Sequence, residues 1–206
     1  MPFIASDGCC RVCGREVESL KGDFLCGDCG GVHAPCFDAA ASALRFEGTA
    51  RDMVLDFKFN RHFWLKDDFS DWLEAKTRTR FGAEAIDAII PMPSTLFHRL
   101  DRGFNQCALL ARELARRFDR RYEAGVLRRK GHPKRQAGLS EEARRANAED
   151  SFSVRHPERI RGRTLLLVDD IMTTGATLSA AAKALKECGA VRVWCVTIAR
   201  SLRTTD

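Results

Sequence analysis

The run from Leu165 to Thr177, LLLVDDIMTTGAT, constrains the fold of this chain more than any other segment. Its first four residues are all apolar, which is typical of a strand buried on both faces of a parallel sheet. Two acids, Asp169 and Asp170, follow where this strand is expected to end. Because ligands of open parallel sheets bind beyond the carboxyl ends of the strands, the pattern predicts a ligand site at these carboxylates.

The residues after the acids have the chemistry of a phosphate-binding turn. Threonine hydroxyls surround Gly175, which permits close approach of the backbone, and a helix predicted over Leu178–Cys188 opens with free N–H groups. A strand followed by a polar helix cap also occurs where nothing binds. Two adjacent carboxylates repel each other, however, and capping needs only one of them, so the pattern favours a bound ligand.

This order of apolar run, paired acids and Thr-Gly turn resembles the loop that binds phosphoribosyl pyrophosphate (PRPP) in type I phosphoribosyltransferases. The resemblance implies that Asp169 and Asp170 contact the ribose hydroxyls and that Mg²⁺ arrives with the pyrophosphate. It assigns the 5-phosphate to Thr173, Thr174, Gly175, Ala176 and Thr177. Enzymes that salvage 6-oxopurines carry an acid at the position of Thr173, so this threonine argues against an oxopurine acceptor.

Two Cys-x2-Cys pairs near the start of the chain predict a metal site. Cys10 and Cys13 form one pair, Cys26 and Cys29 the other, and a glycine follows each pair. Each pair can direct two thiolates at one tetrahedral Zn²⁺, and four thiolates leave no open position for catalysis. The alternative is two disulfides, but the chain shows no apolar signal peptide, so we expect a reducing compartment and structural zinc.

Other cysteines leave the exact ligand set open. Cys9, Cys36 and His33 lie close enough in sequence to replace one of the four zinc ligands. Cys107 and Cys195, like Cys188, lie on apolar patterns and are most simply small core residues.

A cysteine ribbon joined to a phosphoribosyltransferase core resembles the ComF family of competence-associated proteins. Further segments that carry the resemblance are Phe46-Glu47-Gly48, Lys58-Phe59, Pro91-Met92-Pro93, Arg102-Gly103-Phe104-Asn105-Gln106, Gln136, Leu139-Ser140 and Arg144 to Asn147. The resemblance implies a role in natural transformation and in uptake or processing of single-stranded DNA, with a competence helicase as a further partner.

The alternative function is nucleotide salvage by an active phosphoribosyltransferase that transfers 5-phosphoribosyl from PRPP to an unidentified acceptor other than an oxopurine. The resemblance implies that two basic loops approach the pyrophosphate, and their cations are the catalytic candidates: Arg99, Arg102, Lys134 and Arg135. The second loop, from Lys130 to Ser140, is expected to be a mobile lid that ends in a helix through Asn147.

The expected fold class is α/β, with a type I phosphoribosyltransferase core whose parallel sheet is flanked by helices, plus a small N-terminal zinc ribbon. The predicted domains are a ribbon over 1–38, a helical connector or hood over 39–82 and a phosphoribosyltransferase-like domain over 83–206. Further predicted strands are Ile86–Pro91, Val126–Arg129 and Val191–Ala199, and predicted helices are Thr49–Phe59, Phe63–Phe81 and Asn105–Arg117. Ala39–Phe46 forms a short strand or helix.

Aromatic residues on the helix predicted over Phe63–Phe81 are most simply core, although exposed rings could stack on bases. They include Trp64, Phe69 and Trp72.

Composition agrees with a cytoplasmic location. The chain has 206 residues, of which 45% are hydrophobic and 30% charged. No apolar run approaches the roughly 18 residues that span a bilayer, so we expect no membrane insertion. The formal net charge of +6 is concentrated between Arg112 and Arg163, a region that would attract pyrophosphate and nucleic-acid backbones alike.

Overall fold

The computed structural model describes residues 3–4, 8–17, 22, 24–32, 34–94, 103–130 and 151–201. Within them the α-helices are α1 (Gly27–Gly30), α2 (Gly48–Phe59), α3 (Leu65–Phe81), α4 (Gln106–Phe118) and α5 (Ala176–Glu187), with short 3-10 helices at Ala83–Ala85 and Pro157–Arg159. The strands are β1 (Ala39–Arg45), β2 (Ala88–Pro91), β3 (Arg121–Tyr122), β4 (Leu127–Arg129), β5 (Phe152–Val154), β6 (Thr164–Met172) and β7 (Arg192–Arg200).

The main sheet contains five parallel strands in the order β1-β7-β6-β2-β3. Strand β6 lies at its centre, between β7 and β2. Leu165, Leu166, Leu167 and Val168 of β6 are fully buried, which is what a continuous apolar run predicts for a strand covered on both faces. The predicted α/β fold, a parallel sheet flanked by helices, is confirmed.

Alternate residues of β6 belong to two separate packing clusters. Leu166 and Val168 pack with the apolar sides of α2, α3 and α4. Leu165 and Leu167 pack with α5 and with the N-terminal cysteine segment. Because successive side chains of a strand point to opposite faces, three helices cover one face of the sheet and α5 with the cysteines covers the other.

Residues 39–82, expected to be a helical connector or hood, open with a strand, which is one of the two alternatives that the pattern of Ala39–Phe46 allows. They supply the edge strand β1, which pairs in parallel with β7 from Ala39 opposite Trp194 to Arg45 opposite Arg200, before the two helices α2 and α3. The segment therefore contributes directly to the main sheet. Its five central strand residues are buried, as an edge strand covered on both faces requires.

The strand predicted at Val126–Arg129 is present as β4. It pairs antiparallel with β5 in a separate two-stranded sheet, and the short β3 forms the edge of the main sheet opposite β1. One strand prediction differs from the structure. Strand β6 does not end before the acids but continues to Met172, because β7 pairs with it as far as Arg200.

The helix boundaries agree with the sequence patterns to within a few residues. Helix α4 begins after Asn105, whose side-chain oxygen accepts a hydrogen bond from the Cys107 N–H at 3.0 Å and so caps the helix. Among the described residues, no helix is long and apolar enough to cross a membrane.

Candidate functional site

The paired acids lie near the carboxyl end of β6, and their side chains contact different partners. Asp170 is 7% exposed. Its Oδ2 atom accepts a hydrogen bond from Gln106 Nε2 at 2.6 Å and forms an ion pair with Lys58 Nζ at 2.8 Å. Lys58 belongs to α2 and Gln106 to the first turn of α4, so two helices converge on this one carboxylate.

Asp169 has a different environment. Its Oδ1 atom accepts a hydrogen bond from Cys107 Sγ at 3.3 Å and another from the Asp170 backbone N–H at 2.9 Å. Removal of the carboxyl group from water, and the negative charge of Asp170 beside it, raise the pKa of Asp169 to about 7. Burial likewise raises the pKa of the Cys107 thiol, so this cysteine is a neutral donor to Asp169 and not a nucleophile.

The raised pKa of Asp169 predicts a pH dependence of stability. An unfolded chain ionises an aspartate near 3.8, whereas this carboxyl in the folded protein ionises at about 7. Between these values the folded protein holds an extra proton, so the free energy of unfolding falls as pH rises through this window. In the wild type this decrease in the free energy of unfolding should be on the order of a few kcal/mol, and we expect Asp169→Asn to abolish it. Urea denaturation at several pH values measures it, and parallel profiles for variant and wild type would contradict it.

The turn after β6 connects the acids to α5. Thr173, Thr174 and Thr177 are exposed, while Gly175 is buried at the N-terminus of the helix. Gly175 has φ +81°, and an added Cβ would lie 2.6 Å from the Met172 methyl carbon, so only glycine fits this turn without a shift. The Ala176 N–H donates to Thr174 Oγ1 at 3.3 Å. Exposed hydroxyls together with the N–H groups of a helix N-terminus form an environment suited to an anionic oxygen.

An orphaned polar atom lies beside the acids. Gln106 is 5% exposed, and although its amide nitrogen reaches Asp170, its Oε1 atom has no hydrogen-bond partner among the described residues. A buried amide oxygen without a donor is costly. A ligand hydroxyl that donates to Gln106 Oε1 would remove this cost.

No local pattern marks Lys58, Gln106 or Cys107 as neighbours of the acids. Lys58 and Gln106 occur in segments that carry the family resemblance, and the apolar pattern around Cys107 predicts a core residue. The other predicted cations, Arg99, Arg102, Lys134 and Arg135, lie outside the described residues, as do the lid loop from residue 131 and the helix expected after it.

The four paired cysteines, all buried, lie together in the N-terminal segment. Their sulfur atoms are within 4.8 Å of one another, and the residues are Cys10, Cys13, Cys26 and Cys29. Cys13 Sγ lies 3.7 Å from Cys26 Sγ. Sulfurs placed about 2.3 Å from a tetrahedral Zn²⁺ are about 3.8 Å apart, so the donor set and its spacing fit zinc.

The backbone around the cluster favours the thiolate of Cys10, whereas burial and the neighbouring sulfurs raise the pKa of Cys13 and Cys29. Burial opposes ionisation of Cys10, but N–H groups of Cys26, Cys13 and Val12 point at its sulfur and lower its pKa to about 6. None of the nine cysteines forms a disulfide.

Two of the three alternative zinc ligands are described by the structure, and neither is in this cluster. Cys9 is buried outside it, and Cys36 donates its backbone N–H to Ser179 Oγ at 2.9 Å on α5. The third alternative, His33, lies outside the described residues.

Three exposed aromatic side chains follow Lys58 in the sequence. We define the aromatic patch as these three residues, Phe59, Phe63 and Trp64, together with the half-buried Phe104. Trp64 is 64% exposed, which corrects the prediction that it belongs to the core, whereas Phe69 is fully buried as expected. The Phe63 ring packs edge-on against Phe104 at 4.8 Å, two residues before Gln106, and so links the patch to the acid pair.

The parallel sheet, with paired acids and a Thr-Gly turn at the carboxyl end of its central strand, defines a type I phosphoribosyltransferase fold. Residues 105–206 match the family described as "Phosphoribosyl transferase domain". The chain belongs to the ComF family. It is 30% identical to Competence protein F of Haemophilus influenzae over 210 aligned positions, which cover 93% of this chain and 90% of that protein.

Alignments with two further relatives cover similar shares of the chain. DNA utilization protein YhgH of Escherichia coli K12 is 28% identical, and the alignment covers 92% of this chain and 89% of that protein. Competence protein ComFC of Bacillus subtilis is 28% identical over 93% of this chain and 84% of its own length. Similarity therefore extends through the cysteine segment and the hood as well as the phosphoribosyltransferase part.

Proposed function

We propose that this protein binds PRPP with Mg²⁺ at the acid pair and Thr-Gly turn, and that it acts with single-stranded DNA in natural transformation or DNA use. The observation that carries the proposal is the joint position of Asp169, Asp170 and the turn from Thr173 to Thr177 at the carboxyl end of β6.

Each part of PRPP finds a matching group in this arrangement. The ribose hydroxyls would donate to the carboxylates of Asp169 and Asp170, with Gln106 Oε1 as a further acceptor. The 5-phosphate would accept hydrogen bonds from the threonine hydroxyls and from the N-terminus of α5. Mg²⁺ would enter with the pyrophosphate and neutralise its charge.

Lys58 adjusts the charge of this site. Its ammonium forms an ion pair with one of two adjacent carboxylates. This ion pair offsets the repulsion between the carboxylates in the protein without ligand. The position of Lys58 on α2 also joins residues 39–82 to the proposed sugar site.

The four clustered cysteines would hold Zn²⁺ as a structural ion. A four-thiolate site has no open coordination position, so the metal would stabilise the ribbon and take no part in chemistry on PRPP. We place the protein in the cytoplasm, where thiols remain reduced.

The names of the relatives and the aromatic patch support a nucleic-acid partner. The relatives are named for competence and for DNA utilization. Exposed rings such as Phe63 and Trp64 can stack on unpaired bases, and the exposed Arg61 lies between them and Phe59 in sequence. A helicase that delivers single strands during competence is the protein partner that this role implies.

The test of the proposed function is titration calorimetry of zinc-loaded protein with PRPP and Mg²⁺, with and without a short single-stranded oligonucleotide. Saturable PRPP binding supports the sugar-phosphate site, and its absence overturns the proposal. A PRPP affinity that changes when the oligonucleotide is present supports a coupled DNA function. Release of pyrophosphate upon addition of a nucleobase or amine would favour phosphoribosyl transfer instead.

The aromatic patch allows a separate prediction for DNA. We expect Phe63→Ala combined with Trp64→Ala to weaken oligonucleotide binding by roughly 1–3 kcal/mol per stacked base, because each substitution removes a ring on which a base can stack. Fluorescence anisotropy of a labelled oligonucleotide measures this change. Val191→Ala, which trims an exposed apolar residue just before β7, is the control, and equal losses in both variants would contradict a role of the patch.

A further inference from the structure

Arg200 is a buried cation at the end of β7. It is 2% exposed and is among the largest fully buried side chains. Its guanidinium donates to the backbone oxygen of Cys13, approaches Cys13 Sγ at 3.6 Å and contacts Met172 Sδ at 3.5 Å. The side chain thus touches the cysteine cluster on one side and the end of β6 on the other.

The charge of Arg200 has no carboxylate partner in the described part of the chain, where the ion pairs within 4.0 Å involve other residues. A buried guanidinium without a counter-ion is strongly unfavourable. The anionic group in reach is the cysteine cluster, because one Zn²⁺ with four thiolates carries a net charge of −2. Arg200 therefore has its counter-ion when the cluster is loaded with metal.

Met172 joins this cation to the phosphate turn. Its sulfur contacts the guanidinium, and its methyl carbon fills the space in which a Cβ of Gly175 would lie. Phe37, from the segment just after the cysteines, packs against the same glycine. Met172 is 1% exposed and its carbonyl accepts the Ser201 N–H at 2.9 Å, so both its backbone and its side chain are held.

We infer that Arg200 is a positioning residue that couples the cysteine cluster to the phosphate turn. Zinc loading holds the guanidinium at Cys13, the guanidinium holds Met172, and Met172 supports the turn at Gly175. Zinc thereby sets the affinity for PRPP although no zinc ligand touches PRPP. This inference rests on the proposed function, since it requires that the turn bind PRPP.

The test compares variants at both ends of this contact in zinc-loaded protein. Arg200→Lys keeps the charge but cannot reach both Cys13 and Met172, and Met172→Ala removes the support while it leaves the cluster intact. We expect each variant to bind PRPP about tenfold more weakly. We expect Arg200→Lys also to bind Zn²⁺ more weakly in competition with a chromophoric chelator. Circular dichroism verifies that the fold is unchanged.

Arg45→Gln is the matched control. It breaks the 2.7 Å ion pair between Arg45, which lies opposite Arg200 on β1, and Glu16, another contact between the cysteine segment and the sheet. We expect its PRPP affinity to match that of the wild type.

Two outcomes separate the inference from the function on which it rests. If zinc-loaded wild type fails to bind PRPP, the proposed function falls with the inference. If wild type binds PRPP but Met172→Ala, with full zinc and a native spectrum, binds it equally well, the inference alone is overturned. Equal losses of PRPP affinity in Arg200→Lys and Arg45→Gln would also overturn it. Any contact between the cysteine segment and the sheet would then affect PRPP binding as much as Arg200 does.

Discussion

Replacing both Asp169 and Asp170 by asparagine is expected to abolish measurable PRPP binding at concentrations that saturate the wild type. Hydrogen bonds to a charged group contribute about 1.5–3 kcal/mol each, so each lost carboxylate should weaken binding by about 10- to 150-fold. Titration calorimetry with PRPP and Mg²⁺ measures the change. Asparagine has the size of aspartate, which limits the effect to charge and hydrogen bonding.

Asp87, which contacts the opposite end of β6, provides a matched control. Asp87 accepts a hydrogen bond from the Thr164 N–H at 2.7 Å, at the first residue of β6. Asp87→Asn should leave PRPP affinity unchanged because it is remote from the carboxyl end of the strand. If the double variant at Asp169 and Asp170 retained wild-type affinity, the assignment of the ribose site would be wrong.

The single variants should differ from each other. Asp170→Asn leaves Lys58 beside a neutral amide in a buried position, so it should lower stability as well as affinity. Asp169→Asn removes a carboxyl group whose ionised form burial disfavours, so its stability at neutral pH should be equal to or higher than that of the wild type.

Loss of one clustered cysteine is expected to have the largest effect on stability. Structural zinc contributes about 10–16 kcal/mol of apparent binding free energy in small zinc domains. Cys26→Ser should therefore release zinc and unfold the cysteine segment, while the face of β6 that packs against α2, α3 and α4 keeps its packing. Metal analysis of the purified variant measures zinc content, and amide hydrogen exchange locates the unfolded segment.

Cys188→Ser is the control for this experiment. Cys188 lies just after α5 and outside the cluster, so its replacement should leave zinc content at the wild-type level. Full zinc in Cys26→Ser would show that another residue completes the ligand set. The variants Cys9→Ser and Cys36→Ser, each combined with Cys26→Ser, would then identify which one.

Local pattern was sufficient for much of the site. The buried run Leu165–Val168 and the adjacent acids indicated a central strand with a ligand at its end, and the paired cysteines indicated one metal cluster. In both cases the relevant groups are close in sequence, so strand geometry and turn geometry alone bring them together.

Prediction was weaker where a residue's role depended on distant partners. Trp64 has the spacing of a core residue, yet α3 begins only at Leu65 and leaves this ring exposed. The sequence predicts a strand at Val126–Arg129, but its partner β5 follows only after residues 131–150, and no local signal specifies that pairing.

By itself, the sequence determined the parallel α/β core, the position of the acid pair after an apolar run, and the four thiolates that fit zinc. These follow from hydrophobic periodicity and short spacing, which act within a few residues. Only the tertiary structure decided that Lys58 and Gln106 meet at Asp170, and that Arg200 lies between Cys13 and Met172. Those contacts join residues up to 187 positions apart, and chain packing, which local pattern does not encode, sets their distances.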